Sequence, residues 1–297
     1  MAISNASFYN ILDTNSISWS EIWKETMINN IITRGNGDCA SVWNSIDKAR
    51  EFWIQTQRNK TRYDSILSAI LPYQPSKVLD IGSGPGAITL PLARSGCHVT
   101  AIEPAYGMSA LLAENAAEFG VTNIEIVRSR WEHVVPDEIS GPYDTVIACY
   151  SLGMPDISEA ILKMEKVCNG RIFLIWFAGV TPWEQTIRDL WPHYHDKKYS
   201  PGPKADVLYQ ILYEMGIFAD ATVFRESSVE ENMSLDEIVR DYASRIGVLD
   251  RSDLSYMEKY FQGLEPGNND SFKLKGDLIS VIFSWKSRGS SHMLKKQ

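Results

Sequence analysis

From Lys77 onward the chain alternates short apolar, β-branched runs with longer segments whose apolar residues recur at helical spacing. The runs are KVLDI (77–81), HVTAIE (98–103), IEIV (124–127), DTVIACY (144–150) and RIFLIWF (171–177). Their near-continuous apolar character predicts parallel strands buried on both faces, and the segments between them predict βαβ crossovers. Asp156 and Glu159 form a capping box for the helix between the fourth and fifth runs, and Asn169 with Gly170 supplies its stop. After Phe177 comes a proline-rich stretch ahead of the helix ADVLYQILYEMGI, more chain than a simple link needs, and this predicts a lid inserted over about 178–217. Beyond it lie the run ADATVFRES, a helix opened by Ser234 and Glu237, the helix DLSYMEKYFQGL and a last strand ending at Trp285. The expected fold is α/β: a doubly wound, seven-stranded, mainly parallel Rossmann-like sheet.

Upstream of the first strand the pattern is helical. Ser18 and Glu21 form an S-x-x-E box opening WSEIWKETMINNII, and CASVWNSIDKAREFWIQTQ follows the breaker TRGNGD. A helical cap is expected over 1–72, a single main domain over 73–286, and a flexible tail or cloning scar over 287–297. Trp19, Trp23, Trp43 and Trp53 recur at roughly helical spacing. Core packing accounts for them, with the lining of a ligand cavity as the alternative.

Charge narrows the field. A net charge of -8 across 297 residues opposes non-specific binding to phosphate backbones or anionic membranes. Lys197, Lys198 and Lys204 form a basic cluster within the expected lid and read as a solvated loop. Cys39, Cys97, Cys149 and Cys168 show neither C-x-x-C nor a Cys/His ligand spacing, so no disulfide framework, zinc site or other metal is expected. Reduced thiols, no leader pattern and no long apolar span fit a cytoplasmic, soluble chain.

The chemistry centres on KVLDIGSGPGAITL (77–90). Gly82, Gly84 and Ala87 satisfy the loose dinucleotide pattern G-x-G-x-x-G/A after a strand and before a helix. Asp80, however, ends that strand two residues ahead of the first glycine, where it would repel a pyrophosphate. A ligand with a cationic head removes the conflict. Glu103 ends the second strand, where a carboxylate can accept two vicinal ribose hydroxyls.

The D-x-G-x-G-x-G spacing of Asp80, Gly82, Gly84 and Gly86 resembles motif I of the class I S-adenosylmethionine-dependent methyltransferases. The likeness runs from Lys77 to about Phe177. It implies S-adenosylmethionine as cofactor and S-adenosylhomocysteine as product, with Ser83 in the loop, Glu103 on the ribose and Pro104 against the adenine. After the third strand the match loosens: Arg130 stands near where many members carry an acid, which leaves Glu132 or a backbone carbonyl for the adenine amino group and Trp131 to stack on the purine. After the fourth strand, Tyr150 occupies a position that faces both cofactor and substrate in the family.

Methyl transfer is an in-line displacement governed by alignment and water exclusion, and it needs a base only when the nucleophile arrives protonated. His193 and His195, between Trp191 and Tyr194 in the expected lid, are candidate bases, as is Tyr150; a loop pair of histidines is the plainer reading. Cys149 reads as an inert buried thiol. The expected acceptor is a small, partly apolar molecule, with a protein side chain second and nucleic acid third. An NAD-dependent oxidoreductase and a non-catalytic cofactor-binding module are the competing readings.

Overall fold

The structure is a computed structural model that describes residues 18–35, 39–58, 60–227, 229–248, 254–267 and 271–289. Its strands are β1 (Lys77–Ile81), β2 (His98–Ile102), β3 (Ile124–Val127), β4 (Tyr143–Cys149), β5 (Cys168–Phe177), β6 (Asp220–Glu226), β7 (Glu230–Glu231), β8 (Phe272–Lys273) and β9 (Leu278–Lys286). Seven form one sheet in the order β3-β2-β1-β4-β5-β9-β6, while β7 and β8 make a separate pair. The first five are mutually parallel, and β9 runs antiparallel between β5 and β6. The strand order reverses between β1 and β4, and this switch point is where open α/β sheets gather their ligands.

The helices are α1 (Trp19–Arg34), α2 (Cys39–Val42), α3 (Ile46–Arg58), α4 (Lys60–Ile70), α5 (Thr89–Arg94), α6 (Tyr106–Glu118), α7 (Ile157–Val167), α8 (Pro182–Tyr194), α9 (Ala205–Glu214), α10 (Leu235–Ile246) and α11 (Ser255–Gln262). Helices α4 and α5 cover one sheet face, where Ile66, Ile70 and Leu92 pack on Val78, Ile147 and Phe173. On the other face, α1, α7 and α9 bring Trp23, Ile161 and Leu208 onto Leu79, Val146 and Leu174. Helices α1 and α4 of the expected cap pack directly on the sheet: Trp23 is fully buried and its indole N–H donates to Met154 O at 2.8 Å. Core packing is the role the structure gives that tryptophan.

Between β3 and β4 the chain forms two short 3-10 turns, Trp131–His133 and Pro136–Glu138, in place of a crossover helix. Thr100 and Glu125 lie side by side in register there. A hollow of about 500 Å³ results at the amino ends of β1 to β3, at the edge opposite the glycine loop.

Two local expectations change. Asp156 does not cap α7 with its side chain; the carboxylate pairs instead with Lys24 Nζ of α1 at 2.9 Å. Asn169 and Gly170 lie inside β5, which follows α7 directly. A Cβ on Gly170 would stand 1.9 Å from Asp144 O, so this glycine permits close strand approach at the register shift in β4 rather than stopping a helix. At Ser18 one half of the expected box is present, its hydroxyl accepting from Glu21 N–H, and Ser234 with Glu237 forms a complete capping box.

The stretch 178–217, expected as a lid, divides between two packing partners. Helix α8 packs with α10 and α11 through Leu190, Trp191, Tyr242, Met257 and Phe261. Helix α9, from the same inserted stretch, covers the sheet beside α1 instead. Two separate chain segments thus combine into one helical cluster because their apolar faces complete one another. Part of the expected tail, residues 290–297, and the first 17 residues lie outside the described residues.

Candidate active site

The loop after β1 is set by three glycines in left-handed backbone: Gly82 at φ 71°, Gly84 at φ 54° and Gly86 at φ 103°. Side-chain-bearing residues are strained there. Gly82 and Ser83 donate their N–H groups to Ile102 O at 2.7 and 3.2 Å, which ties the loop to the end of β2. A Cβ on Gly82 would fall 2.3 Å from Ser151 Cβ, whereas one on Gly84 would meet nothing within 4 Å. The loop is therefore packed from below by Ser151, whose hydroxyl donates to Ile81 O at 2.5 Å, and open above Gly84.

Glu103 closes the other side. Its two carboxylate oxygens accept from Gly84 N–H at 2.9 Å and Ala105 N–H at 2.8 Å, and each oxygen keeps a second lone pair. Burial raises its pKa, and the two backbone donors oppose that rise. Asp80 lies deeper, 1% exposed, and accepts from Thr89 Oγ1 at 2.5 Å. Burial pushes its carboxyl up to about 6; Thr89 pulls it down and nearby Glu103 adds to the rise. Among the described residues no ion pair includes either acid. Ser83 Oγ is buried in the loop without a hydrogen-bond partner among them.

At the carboxyl end of β4, Tyr150 has φ 55°, and its N–H donates to Ile175 O. Its hydroxyl donates to Ser280 Oγ at 2.9 Å and its ring stacks on Phe177 with centroids 4.7 Å apart. Burial pushes the phenol well above its ordinary pKa. A phenol held neutral and already donating is a structural hydrogen bond, not a base. Cys149 beside it is likewise raised well above the ordinary thiol value by burial.

Next to Glu103 lies a cavity of about 470 Å³ lined by Ser41, Asn44, Pro104, Ser129, Arg130, His133 and their neighbours. Trp131 does not open onto it. The indole is 2% exposed, donates to Ala160 O at 3.1 Å and packs in the core, so stacking on a ligand in this cavity would require the core to open. Lys163 from α7 bonds the carbonyls of Trp131, Glu132 and Val134, which leaves the Glu132 side chain exposed and its carbonyl engaged.

The two histidines stand elsewhere. His193 stacks on Tyr256 at 3.9 Å, and His195 stacks on Trp191 with its Nε2 2.8 Å from Ile246 O. Both sit at the far end of α8 from Trp183, whose ring meets Phe177 at the sheet edge. At 1.5 Å per residue the offset to His193 is about 15 Å. The structure thus gathers Asp80, Gly82, Ser83, Gly84, Gly86, Glu103 and Tyr150 at the ends of β1, β2 and β4, with Pro104 and Arg130 around the adjoining cavity. It does not bring Trp131, His193 or His195 to them. Thr89, Ser151 and Asn44 went unread in the sequence; only Thr89, a hydroxyl opening the helix after the loop, carried a local signal. Among the described residues no group of three or more His, Cys, Asp and Glu is arranged to hold a metal ion, and no helix is long and apolar enough to cross a membrane.

The sheet order, the switch-point position of the loop and the glycine geometry define a class I, Rossmann-like methyltransferase fold. Residues 78–170 match the family model of a methyltransferase domain. An uncharacterised protein of Haemophilus influenzae is 31% identical over 109 residues, 37% of this chain and 40% of its own length. The release factor glutamine methyltransferase of Escherichia coli is 40% identical over 65 residues, 21% of this chain and 24% of that enzyme. The matches thus span less than half of these relatives. A crystallised methyltransferase candidate from Bacillus halodurans C-125 shares the fold at TM-score 0.51 and 13% identity, over 75% of this chain and 97% of that one.

Proposed function

We propose that the protein is an S-adenosylmethionine-dependent methyltransferase acting on a small molecule. The observation that carries this reading is the pair of buried acids around an open glycine loop, Asp80 at 1% and Glu103 at 7% exposure, with no ion-pair partner among the described residues. A pyrophosphate would meet two carboxylates there, whereas an ammonium and sulfonium would meet a complementary field. The fit extends to particular atoms: the unpartnered Ser83 hydroxyl, the open space above Gly84 and the spare lone pairs of Glu103.

Gly82, Ser83, Gly84 and Gly86 would hold the methionine end, Glu103 the ribose hydroxyls, and Pro104 with Arg130 the nucleobase end. When bound, the cofactor supplies an electrophilic methyl group. Asp80, held by Thr89, fixes the loop and contributes negative potential; Tyr150, held by Ser280 and Phe177, shapes the floor beside the acceptor's approach. These residues orient the reactants and exclude water, which is the main need of a methyl transfer. The overall charge of -8 and the aromatic row of Tyr150, Phe177 and Trp183 under the lid favour a small, partly apolar acceptor over nucleic acid. The cytoplasm is the compartment expected for this chemistry.

The test is calorimetric titration with S-adenosylhomocysteine, with NAD in parallel and Glu103→Gln as control. The expected result is micromolar or tighter binding of S-adenosylhomocysteine alone, weakened by about 1.5–3 kcal/mol in the variant. Glutamine is the better control than alanine, because Glu103 also holds the Gly84 and Ala105 N–H groups: the amide oxygen keeps one of them, whereas alanine would orphan both. Binding of NAD in its place, or no binding at all, overturns the proposal. Binding without turnover across a broad acceptor panel would instead identify a non-catalytic module.

A further inference from the structure

We infer that the turn at residues 43–45 is a wall of the cofactor cleft, docked on the amino end of α6, and that this docking sets affinity at the nucleoside end. The inference rests on the reading of the cleft given above. Helix α6 starts three residues after Glu103, and its N-cap, Ala105, has no side chain able to accept a hydrogen bond. The first N–H groups of a helix need partners from outside it. Glu103 supplies one, accepting from Ala105 N–H, and Asn44 supplies the next, its Oδ1 accepting from Tyr106 N–H at 3.0 Å. One helix start is thus capped jointly by the proposed ribose ligand and by a residue from the N-terminal segment.

Gly107 explains how the segment comes so close. Its φ lies outside the left-handed region, so no backbone demand calls for glycine, yet an added Cβ would stand 2.5 Å from Ser45 O and 2.7 Å from Trp43 O. Those neighbours are backbone and cannot rotate away. Glycine inside a helix costs about 1 kcal/mol relative to alanine, and here the cost accompanies a seat for the turn. Apolar contacts secure it: Ala49, Trp43, Phe52 and Trp53 pack on Ala105, Met108 and Leu111.

The seated turn completes the cavity of about 470 Å³, with Ser41 and Asn44 facing Pro104, Ser129 and Arg130 across it. Asn44 is therefore a positioning residue: it holds the backbone that follows Glu103 and Pro104 and forms part of the wall that keeps water from them.

The experiment is titration of the full chain with S-adenosylhomocysteine in wild type, Gly107→Ala, Asn44→Ala and Asn44→Asp, with melting temperatures and hydrogen exchange at the Tyr106 amide. Gly107→Ala should bind at least about tenfold more weakly, because the turn must lift off its seat. Asn44→Ala should lose about fivefold, the scale of a missing helix cap, and expose the Tyr106 amide to exchange. Asn44→Asp restores an acceptor and should recover both affinity and protection, a rescue that general destabilisation would not produce. Should Gly107→Ala fail to fold, the Asn44 pair decides. Wild-type affinity in both Gly107→Ala and Asn44→Ala overturns the docking, as does equal loss in Asn44→Ala and Asn44→Asp. Absence of binding by the wild type overturns the cofactor reading and the wall with it.

Discussion

The proposed cofactor cleft and the proposed lid are built on different principles. In the cleft the contacts that set the glycine loop are local in sequence, as with Gly84 N–H on the Glu103 carboxylate and the Thr89 hydroxyl on that of Asp80. In the lid they join distant helices: His195 to Ile246, Tyr260 to Asp189, and the apolar faces of α8, α10 and α11. A cleft of the first kind is sensitive to the identity of single residues, because each supplies a backbone conformation or a lone pair that no neighbour can replace. The lid spreads its stability over many contacts, and single residues in it can change with less consequence.

The sharpest way to break that contrast lies within the glycine loop. Gly82→Ala combines a left-handed φ of 71° with a Cβ 2.3 Å from that of Ser151, so the loop must leave its place. Binding of S-adenosylhomocysteine should fall by about a hundredfold or more, from strain and clash together. Gly84→Ala carries the φ of 54° but meets nothing within 4 Å, and should cost only about 1–2 kcal/mol. Parallel titrations decide: equal losses would mean that the floor made by Ser151 is unimportant.

A smaller effect, with a distinctive pH signature, belongs to Asp80. Its carboxyl is pushed up to about 6 from an ordinary 3.8, chiefly by burial. As pH rises from about 4, the unfolded chain releases this proton first, so the native state holds more protons and stability falls until about pH 6. Above that the loss is complete and constant. Asp80→Asn keeps an acceptor for Thr89 and removes the titration. Melting curves should show the cofactor-free variant gaining up to about 3 kcal/mol at pH 7 and little at pH 4. Its affinity for S-adenosylhomocysteine should decline at the same time. A stability difference independent of pH would show that Asp80 is ionised without penalty in the native protein.

These two residues also mark how far the sequence could be read. Positive φ is written in glycine itself, and an acid at the end of an apolar strand is conspicuous, so the loop, Asp80 and Glu103 stood out before any coordinates. Strands β1, β2, β4, β5 and β9 were legible for a similar reason, since strands buried on both faces are apolar throughout. What did not show was anything settled by packing across the chain. Trp131 resembles a stacking residue until α7 is laid over it, with Ala160 accepting its indole N–H. Asp156 resembles a cap until Lys24 arrives from α1. Asn44 carries no local sign that it serves a helix that starts at Tyr106.

The histidines provide the smallest effect and the cleanest test of the contrast. Sequence alone placed His193 and His195 among aromatics in a lid, where an imidazole could face an acceptor. The structure spends those aromatics on the histidines themselves, Tyr256 on His193 and Trp191 on His195, each at 3.9 Å. His193 is exposed, so His193→Ala should change stability by no more than about 0.5 kcal/mol. His195→Ala also loses the contact with Ile246 O and should cost about 1 kcal/mol, read by thermal melting. Neither should alter affinity for S-adenosylhomocysteine or, once an acceptor is found, turnover by more than about twofold, since the cleft begins about 15 Å away along α8. Turnover that falls tenfold while melting and cofactor affinity hold would require the far end of α8 to swing over the cleft, and the lid would then carry chemistry after all.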